Sequence, residues 1–257
     1  MIALTRAARA ILATLLLASC AVTSPREESR DPWEGWNRRV FTFNERVDRA
    51  VLKPVSEAYV KVVPSTMRRG VSNFFDNLTY INVIANALLQ GKPAQAYADT
   101  GRFIINTTLG MGGLLDIATP AGVPRNDEDF GQTLGVWGVG EGPYLVLPLL
   151  GPSTFRDVPR YVFSALVHPL NYYSGDSAVA PALGGLSVVD QRAQARGAFE
   201  LIDAAALDRY IFVREAYRQR RLFLIYDGKP PLAPLKPEAP GAEPPLPGES
   251  GAAAPQR

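Results

Sequence analysis

The chain is short of almost everything that chemistry at a metal or a nucleophile needs. Among 257 residues there is one cysteine, Cys20, and one histidine, His168. A lone cysteine excludes an intramolecular disulfide, and a lone histidine leaves little for a transition-metal centre. No G-x-S-x-G, H-E-x-x-H, C-x-x-C or P-loop pattern occurs, so the usual carriers of esterase, zinc-protease, redox and nucleotide chemistry are missing. Gly138-Val139-Gly140-Glu141-Gly142 has the wrong spacing for a dinucleotide loop. Asp127-Glu128-Asp129 reads as a solvated loop rather than a cation site, and His168, before Pro169, as a structural or capping residue. Carboxylates alone could serve an active site, but nothing in their spacing points to one. The expectation is a protein that is not an enzyme and carries no cofactor and no metal.

Charge of one sign is scarce as well. The formal net charge of +2 is carried by Arg6 and Arg9, while bases and acids balance between 20 and 228. A nucleic-acid binder built on a basic domain is therefore excluded as the leading reading. Long apolar runs are also missing. After residue 20 the most apolar stretch is Tyr144–Leu150, interrupted by Pro148, whereas a helical span needs about twenty residues. The alternation of an outer-membrane barrel is absent too. The body must hang below a membrane or lie within one leaflet.

What is present begins with an address. Arg6 and Arg9 precede the apolar run Ala10–Ala18, which has the length of a secretory h-region. Leu17-Ala18-Ser19-Cys20 resembles a bacterial lipobox, which implies signal cleavage between Ser19 and Cys20 and acylation of Cys20; a plain signal peptide with a chance cysteine is the alternative. Multiple acyl chains anchor a protein durably where one is marginal. Ala21, in place of the Asp typical of inner-membrane retention, directs the chain to the outer membrane of a two-membrane bacterium, facing the periplasm. Residues 1–19 are thus read as signal peptide and 20–30 as an acylated tether. At the other end, nine of the 22 prolines fall in 229–257, which predicts an extended, disordered tail.

The body, 31–228, reads as one mostly α-helical domain. Asp31-Pro32-Trp33-Glu34 has the pattern of a capped helix start. Trp36, Val40, Phe43, Val47 and Val51 then form an apolar stripe, which Pro54 should interrupt. Across 71–90 an apolar face (Phe74, Phe75, Leu78, Leu88, Leu89) opposes a face of amides: Asn73, Asn77, Asn82, Asn86 and Gln90. Water-facing helices usually carry Lys and Glu there. Uncharged amides suit a headgroup zone, a lipid-facing groove or a buried hydrogen-bonded contact; an ordinary core helix with an unusual surface remains the plain alternative. Further helices are expected from Pro93 to about Leu109, over 155–168, over 188–203 behind a Ser187 cap, and over 207–225. Between 110 and 151 ten of the 22 glycines cluster, predicting an irregular loop or hairpin.

Taken in order, the motifs resemble the MlaA (VacJ) family of outer-membrane lipoproteins. They are Asp31-Pro32-Trp33-Glu34-Gly35-Trp36-Asn37-Arg38 with Phe43-Asn44; Asn73-Phe74-Phe75-Asp76-Asn77-Leu78; Asn86-Ala87-Leu88-Leu89-Gln90-Gly91; Arg102–Gly113; Glu128-Asp129-Phe130-Gly131-Gln132-Thr133-Leu134-Gly135 running on to Arg156-Asp157; and Tyr210-Ile211 with Val213-Arg214-Glu215-Ala216-Tyr217. The resemblance spans about 31–226. Two segments depart from it: Thr79-Tyr80-Ile81, where the family often has proline, and Val158-Pro159-Arg160-Tyr161, where it often has Gly and Asp.

The resemblance implies an all-α domain forming a monotopic annulus around an amphipathic channel in the inner leaflet of the outer membrane, associated with trimeric porins. It implies a protein that takes phospholipid strayed into the outer leaflet and hands it to a soluble periplasmic carrier (MlaC-like), preserving lipid asymmetry. A non-catalytic lipoprotein that braces porins is the alternative. Within that frame, Phe130, Gly131, Gly135, Gly138, Gly140, Gly142 and Tyr144 are candidates for a channel-side gating loop, with a fixed, tightly packed turn as the plain reading. Arg214, Arg218, Arg220 and Arg221 are candidates for headgroup or partner contact, with a solvated face as the plain one.

Overall fold

The computed structural model describes residues 31–231. The signal peptide, Ser19, Cys20, the tether and the tail beyond 231 lie outside the described residues.

Helix α1 (Glu34–Val47) passes through a π-helical turn (Asp48–Leu52) into α2 (Lys53–Val62). Pro54 therefore does not end the helix as its chemistry suggested. It lacks an N–H and its ring crowds the carbonyl four residues back. The π turn widens the spiral ahead of it, with the Lys53 N–H reaching the Asp48 carbonyl five residues back. The start of α1 also differs from expectation. Trp33 is the N-cap and no side chain caps it. Asp31 instead accepts hydrogen bonds from Asn37, Tyr210 and Arg214, tying the chain's entry to its last helix.

After Pro64, α3 (Ser65–Leu89) runs for 25 residues without a break, and α4 (Pro93–Thr108) packs back against it. α3 runs unbroken through Thr79-Tyr80-Ile81; Tyr80 is buried beneath the Arg102 guanidinium, 5.5 Å from its ring centre. A loop leads to the short α5 (Phe130–Val136), capped by the Asp129 carboxylate on the Gln132 N–H. A hairpin follows, β1 (Tyr144–Leu147) and β2 (Gly151–Thr154), antiparallel with Tyr144 opposite Thr154 and Leu147 opposite Gly151. The glycine-rich stretch is thus a loop, a helix of about two turns and a hairpin.

Helices α6 (Pro159–Val167), α7 (Val179–Gln194), α8 (Arg196–Ala205) and α9 (Arg209–Ile225) complete the body. Ser187 lies inside α7 and accepts from Gln191, rather than capping a helix; the helix begins earlier, with Pro181 accommodated in its first turn. His168 does cap, its Nδ1 accepting the Leu170 N–H at the start of a 3-10 turn. Burial holds its imidazole pKa below the ordinary value, which suits a neutral ring with an acceptor nitrogen.

The interior is rich in polar side chains. Fifteen polar or charged residues are buried among the described residues, against ten apolar ones. The amide face of α3 is one reason. Asn77 donates to Thr107, Asn82 to the Glu128 carbonyl, Asn86 joins Thr133, and Gln90 reaches Glu128. Of the readings the sequence left open for this face, the buried hydrogen-bonded contact is the observed one. Meanwhile Leu88, Leu89, Ile104, Leu109, Trp137 and Leu150 are exposed. Exposed apolar surface on this scale marks contact with lipid or another protein. No helix among the described residues is long and apolar enough to cross a membrane.

Candidate functional site: an amphipathic cavity against the hairpin

The cavity of interest, about 480 Å³, lies where the π turn, the hairpin turn and helices α7–α9 meet. Its apolar lining comes from Phe41, Leu52, Val146, Leu149, Leu150, Phe199, Ile202 and Val213. Its ionic lining comes from Glu45, Asp48, Arg49, Lys53, Arg192, Asp203 and Arg209. The π turn explains half of this: the wider spiral places Asp48, Arg49, Leu52 and Lys53 along one wall. The hairpin explains most of the rest, because Leu149 and Leu150 sit at its tip. Leu149 has φ +63°, and its N–H is held by the Asn44 Oδ1 at 2.8 Å.

Most of the ionic groups are already paired. Arg192 grips Asp48 through two bonds of 2.6 and 3.0 Å, with its guanidinium 3.8 Å from the Phe199 ring centre. Arg209 joins Glu45 at 3.0 Å and Asp203 at 2.7 Å. Arg49 and Lys53 have no ion pair among the described residues. The wall therefore has an ion-paired frame of two arginines and three carboxylates, and the two unpaired cations leave the lining with a net positive charge. Such a site takes a ligand with an anionic group and an apolar part, because each would be costly to bury against the other's surroundings.

The structure places the sequence candidates differently. Tyr144 is 1% exposed and packs with Val40, Val146 and Tyr210; it belongs to the core and faces no channel. Phe130 stacks on Phe163 with ring centres 4.7 Å apart. Gly131, Gly135 and Gly142 are sites of close approach: a Cβ there would lie 2.6 Å from Arg221 and Asp157, 2.9 Å from Ile225 and 2.9 Å from Phe155, respectively. Gly131 and Gly135 are points of tight packing on α5, and Gly142 is a packed turn. Gly138 and Gly140 have open space around them, so packing does not explain the glycine at either position.

The arginines of α9 are mostly occupied inside the protein. Arg214 pairs with Asp31 and Glu215, and Arg218 with both oxygens of Glu141. Arg221 is buried between Asp129 and Asp157, so it is not a headgroup contact. Buried carboxylates need such a partner. Burial pushes both acids up, but Arg221 together with the Gln132 N–H and Arg160 at Asp129, and with Arg156 and Tyr217 at Asp157, outweighs it and holds each below the usual carboxylate range. Arg220, with its side chain 72% exposed and 3.6 Å from Asp127, is the one that remains available. The acids of 127–129 are likewise separately engaged: Glu128 takes Lys92, Gln90 and Gln95.

Sequence reasoning missed Asp48, Arg49, Lys53 and Arg192. The charged run around 45–53 was visible, but its convergence with Arg192, 144 residues away, was not.

A family model for the MlaA lipoprotein matches residues 29–224. The chain belongs to the MlaA lipoprotein family. It is 39% identical to the intermembrane phospholipid transport system lipoprotein MlaA of Shigella flexneri, covering 88% of this chain and 89% of that one. The corresponding protein of Escherichia coli K12 is 38% identical over the same shares. A solved structure, described as the structural basis for maintenance of bacterial outer membrane lipid asymmetry, superposes with a TM-score of 0.66 at 39% identity, covering 76% of this chain and 98% of that one.

Proposed function

We propose that this lipoprotein withdraws phospholipids misplaced in the outer leaflet of the outer membrane and passes them inward to a soluble periplasmic carrier, as one step in maintaining lipid asymmetry. The observation that carries the reading is the cavity itself, apolar and cationic at once, in a body that buries many polar side chains and exposes many large apolar ones. It fits the names of the relatives, which are phospholipid transport lipoproteins.

The energetics require such a device. A phospholipid has roughly thirty buried methylenes at about 0.8 kcal/mol each, so release into water costs on the order of 25 kcal/mol. An ionised headgroup crossing hydrocarbon alone is also costly. The exposed apolar residues set the body in the periplasmic leaflet, arranged as an annulus with the cavity on its lipid path, and acylated Cys20 fixes it there. Arg49 and Lys53 receive the headgroup phosphate, while Leu149, Leu150, Phe199 and Ile202 keep the proximal tails out of water. Gly138 and Gly140 let the adjoining loop move. Trimeric porins hold the assembly in place. No catalytic step is needed, and the driving force comes from elsewhere.

The test is outer-leaflet phospholipid in a deletion strain complemented with the native gene, with Cys20→Ala, or with Arg49→Glu/Lys53→Glu. The native gene should restore asymmetry and both variants should fail. Normal surface phospholipid in the deletion strain, with porins still co-purifying with the native protein, would replace the transport reading with a bracing one.

A further inference from the structure

A second cavity, about 340 Å³, opens beside the first half of α3, just past the α2–α3 corner, and is walled by α3, α7 and Arg125. Helix α7 separates it from the first, lining one with Arg192 and the other with Asp190 and Gln194. Three arginines border it: Arg68, Arg69 and Arg125. Two carboxylates do so as well, and both are engaged. Asp76 pairs with Arg125 at 2.6 Å. Asp190, 2% exposed, accepts from Tyr59, Ser72 and Gln194 at 3.0, 2.8 and 2.7 Å.

Arg68 and Arg69 have no ion pair among the described residues, and the Arg68 Nε is shielded from solvent with no acceptor. Two guanidinium groups without an ion pair on the wall of one cavity suit an anion. Val62, 77% exposed, ends α2, and Met67, 63% exposed, precedes Arg68 in the first turn of α3. Apolar side chains next to cations on one corner are the pattern of a membrane interface, where the side chain enters the acyl boundary and the guanidinium meets the headgroup layer. An acidic protein surface would find Val62 and Met67 unmatched.

We infer that the cavity beside the first half of α3 is a second phosphate-binding site, distinct from the transport cavity, that holds the headgroup phosphate of a lipid in the surrounding leaflet. Arg68 and Arg69 bind the phosphate and Ser72 borders it. The inference rests on the placement of this body in lipid and is independent of transport.

The experiment titrates dihexanoyl-phosphatidylglycerol, dihexanoylglycerol and inorganic phosphate into the full chain in neutral detergent. It uses an Arg49→Gln/Lys53→Gln background, so that the first cavity does not contribute and the two proposals fail separately. The phosphatidylglycerol should bind and dihexanoylglycerol should not. Arg68→Gln/Arg69→Gln should weaken binding roughly thirtyfold, with the far-UV circular dichroism unchanged. Arg68→Lys/Arg69→Lys should recover most of it, which shows that a folded chain was measured. Arg39→Gln/Arg46→Gln removes the same charge from α1 and should leave binding intact. Equal loss in that control would reduce the effect to general charge and overturn the site. Retained affinity in Arg68→Gln/Arg69→Gln would overturn it directly. Inorganic phosphate binding as tightly as the lipid would make the source a free anion and overturn the lipid assignment.

Discussion

Asn37 serves Val146 as a neighbouring strand would. Its Oδ1 accepts the Val146 N–H at 2.9 Å and its Nδ2 donates to the Tyr144 carbonyl at 3.0 Å. Seven residues along the same face of α1, Asn44 repeats the device on the Leu147 carbonyl and the Leu149 N–H. A two-stranded hairpin is marginal alone and its outer edge is unsatisfied. Here two side-chain amides close that edge and set the position of Leu149 in the cavity.

Asn37→Ala should therefore destabilise the protein by about 3 kcal/mol, since a buried donor and a buried acceptor each lose a partner at ~1–3 kcal/mol. Asn37→Asp should do no better, because it loses the donor and adds a charge 2.8 Å from Asp31. Denaturant unfolding in detergent checks both. Asn44→Ala, at a partly exposed site, should cost less stability, but it frees the hairpin tip and should lower phospholipid removal.

The carboxylates around Arg221 set an acid limit. Asp129 and Asp157 are held below the ordinary range in the folded protein, burial notwithstanding, by Arg221, with Arg156 adding to Asp157. Depressed native values mean that their stabilisation is complete above the unfolded value, about 3.9, and is lost as the pH falls through the lower folded values. Stability measured between pH 7 and pH 5 should be flat with respect to this network and then fall steeply below about pH 4. Asp129→Asn should flatten that acid limb while lowering stability at neutral pH, because it leaves Arg221 half-paired. An unchanged limb would place the acid sensitivity elsewhere.

Much of the helical layout was legible because it is local. The apolar period, Pro93 at the first position of its helix and the glycine density of 110–151 are all short-range signals, and the helices over 71–90 and 93–109 were placed to within a few residues apart from the earlier start of α3. The cavity was not legible. Its walls come from residues far apart in the chain, and its shape depends on a π turn that no side-chain period announces. The arginines of α9 illustrate the same limit: Arg214, Arg218 and Arg221 look available in sequence because their acids, Asp31, Glu141 and Asp129, lie 77 to 183 positions away. The amide face of α3 was recognised as unusual, but only the fold decides that it turns inward.

The glycine segment can be divided by substitution. Gly131→Ala and Gly135→Ala should each destabilise by ~1–3 kcal/mol, because the added methyl meets Arg221, Asp157 or Ile225 at under 3 Å. Gly140→Ala meets nothing within 4 Å and has no left-handed φ to strain, so it should leave unfolding unchanged. Gly140→Leu then isolates motion from packing. A fold-neutral loss of lipid asymmetry and detergent resistance supports a moving loop, and full complementation counts against it.

The π turn yields the sharpest separation of stability from function. Pro54 is the residue that makes an ordinary α-helical turn unfavourable between Asp48 and Lys53, and removing proline from a helix interior relieves up to about 3 kcal/mol. Pro54→Ala should raise the unfolding midpoint or leave it unchanged as the turn relaxes toward α-helical geometry. That relaxation rotates Asp48 and Arg49 relative to α2, working against the paired bonds from Arg192 that anchor the wall. Phospholipid removal should then fall even though the protein is no less stable. If Pro54→Ala complements a deletion strain fully, the turn only relieves strain and the wall geometry does not depend on it; if the variant is less stable, the Arg192–Asp48 contact opposes the relaxation by more than the helix gains.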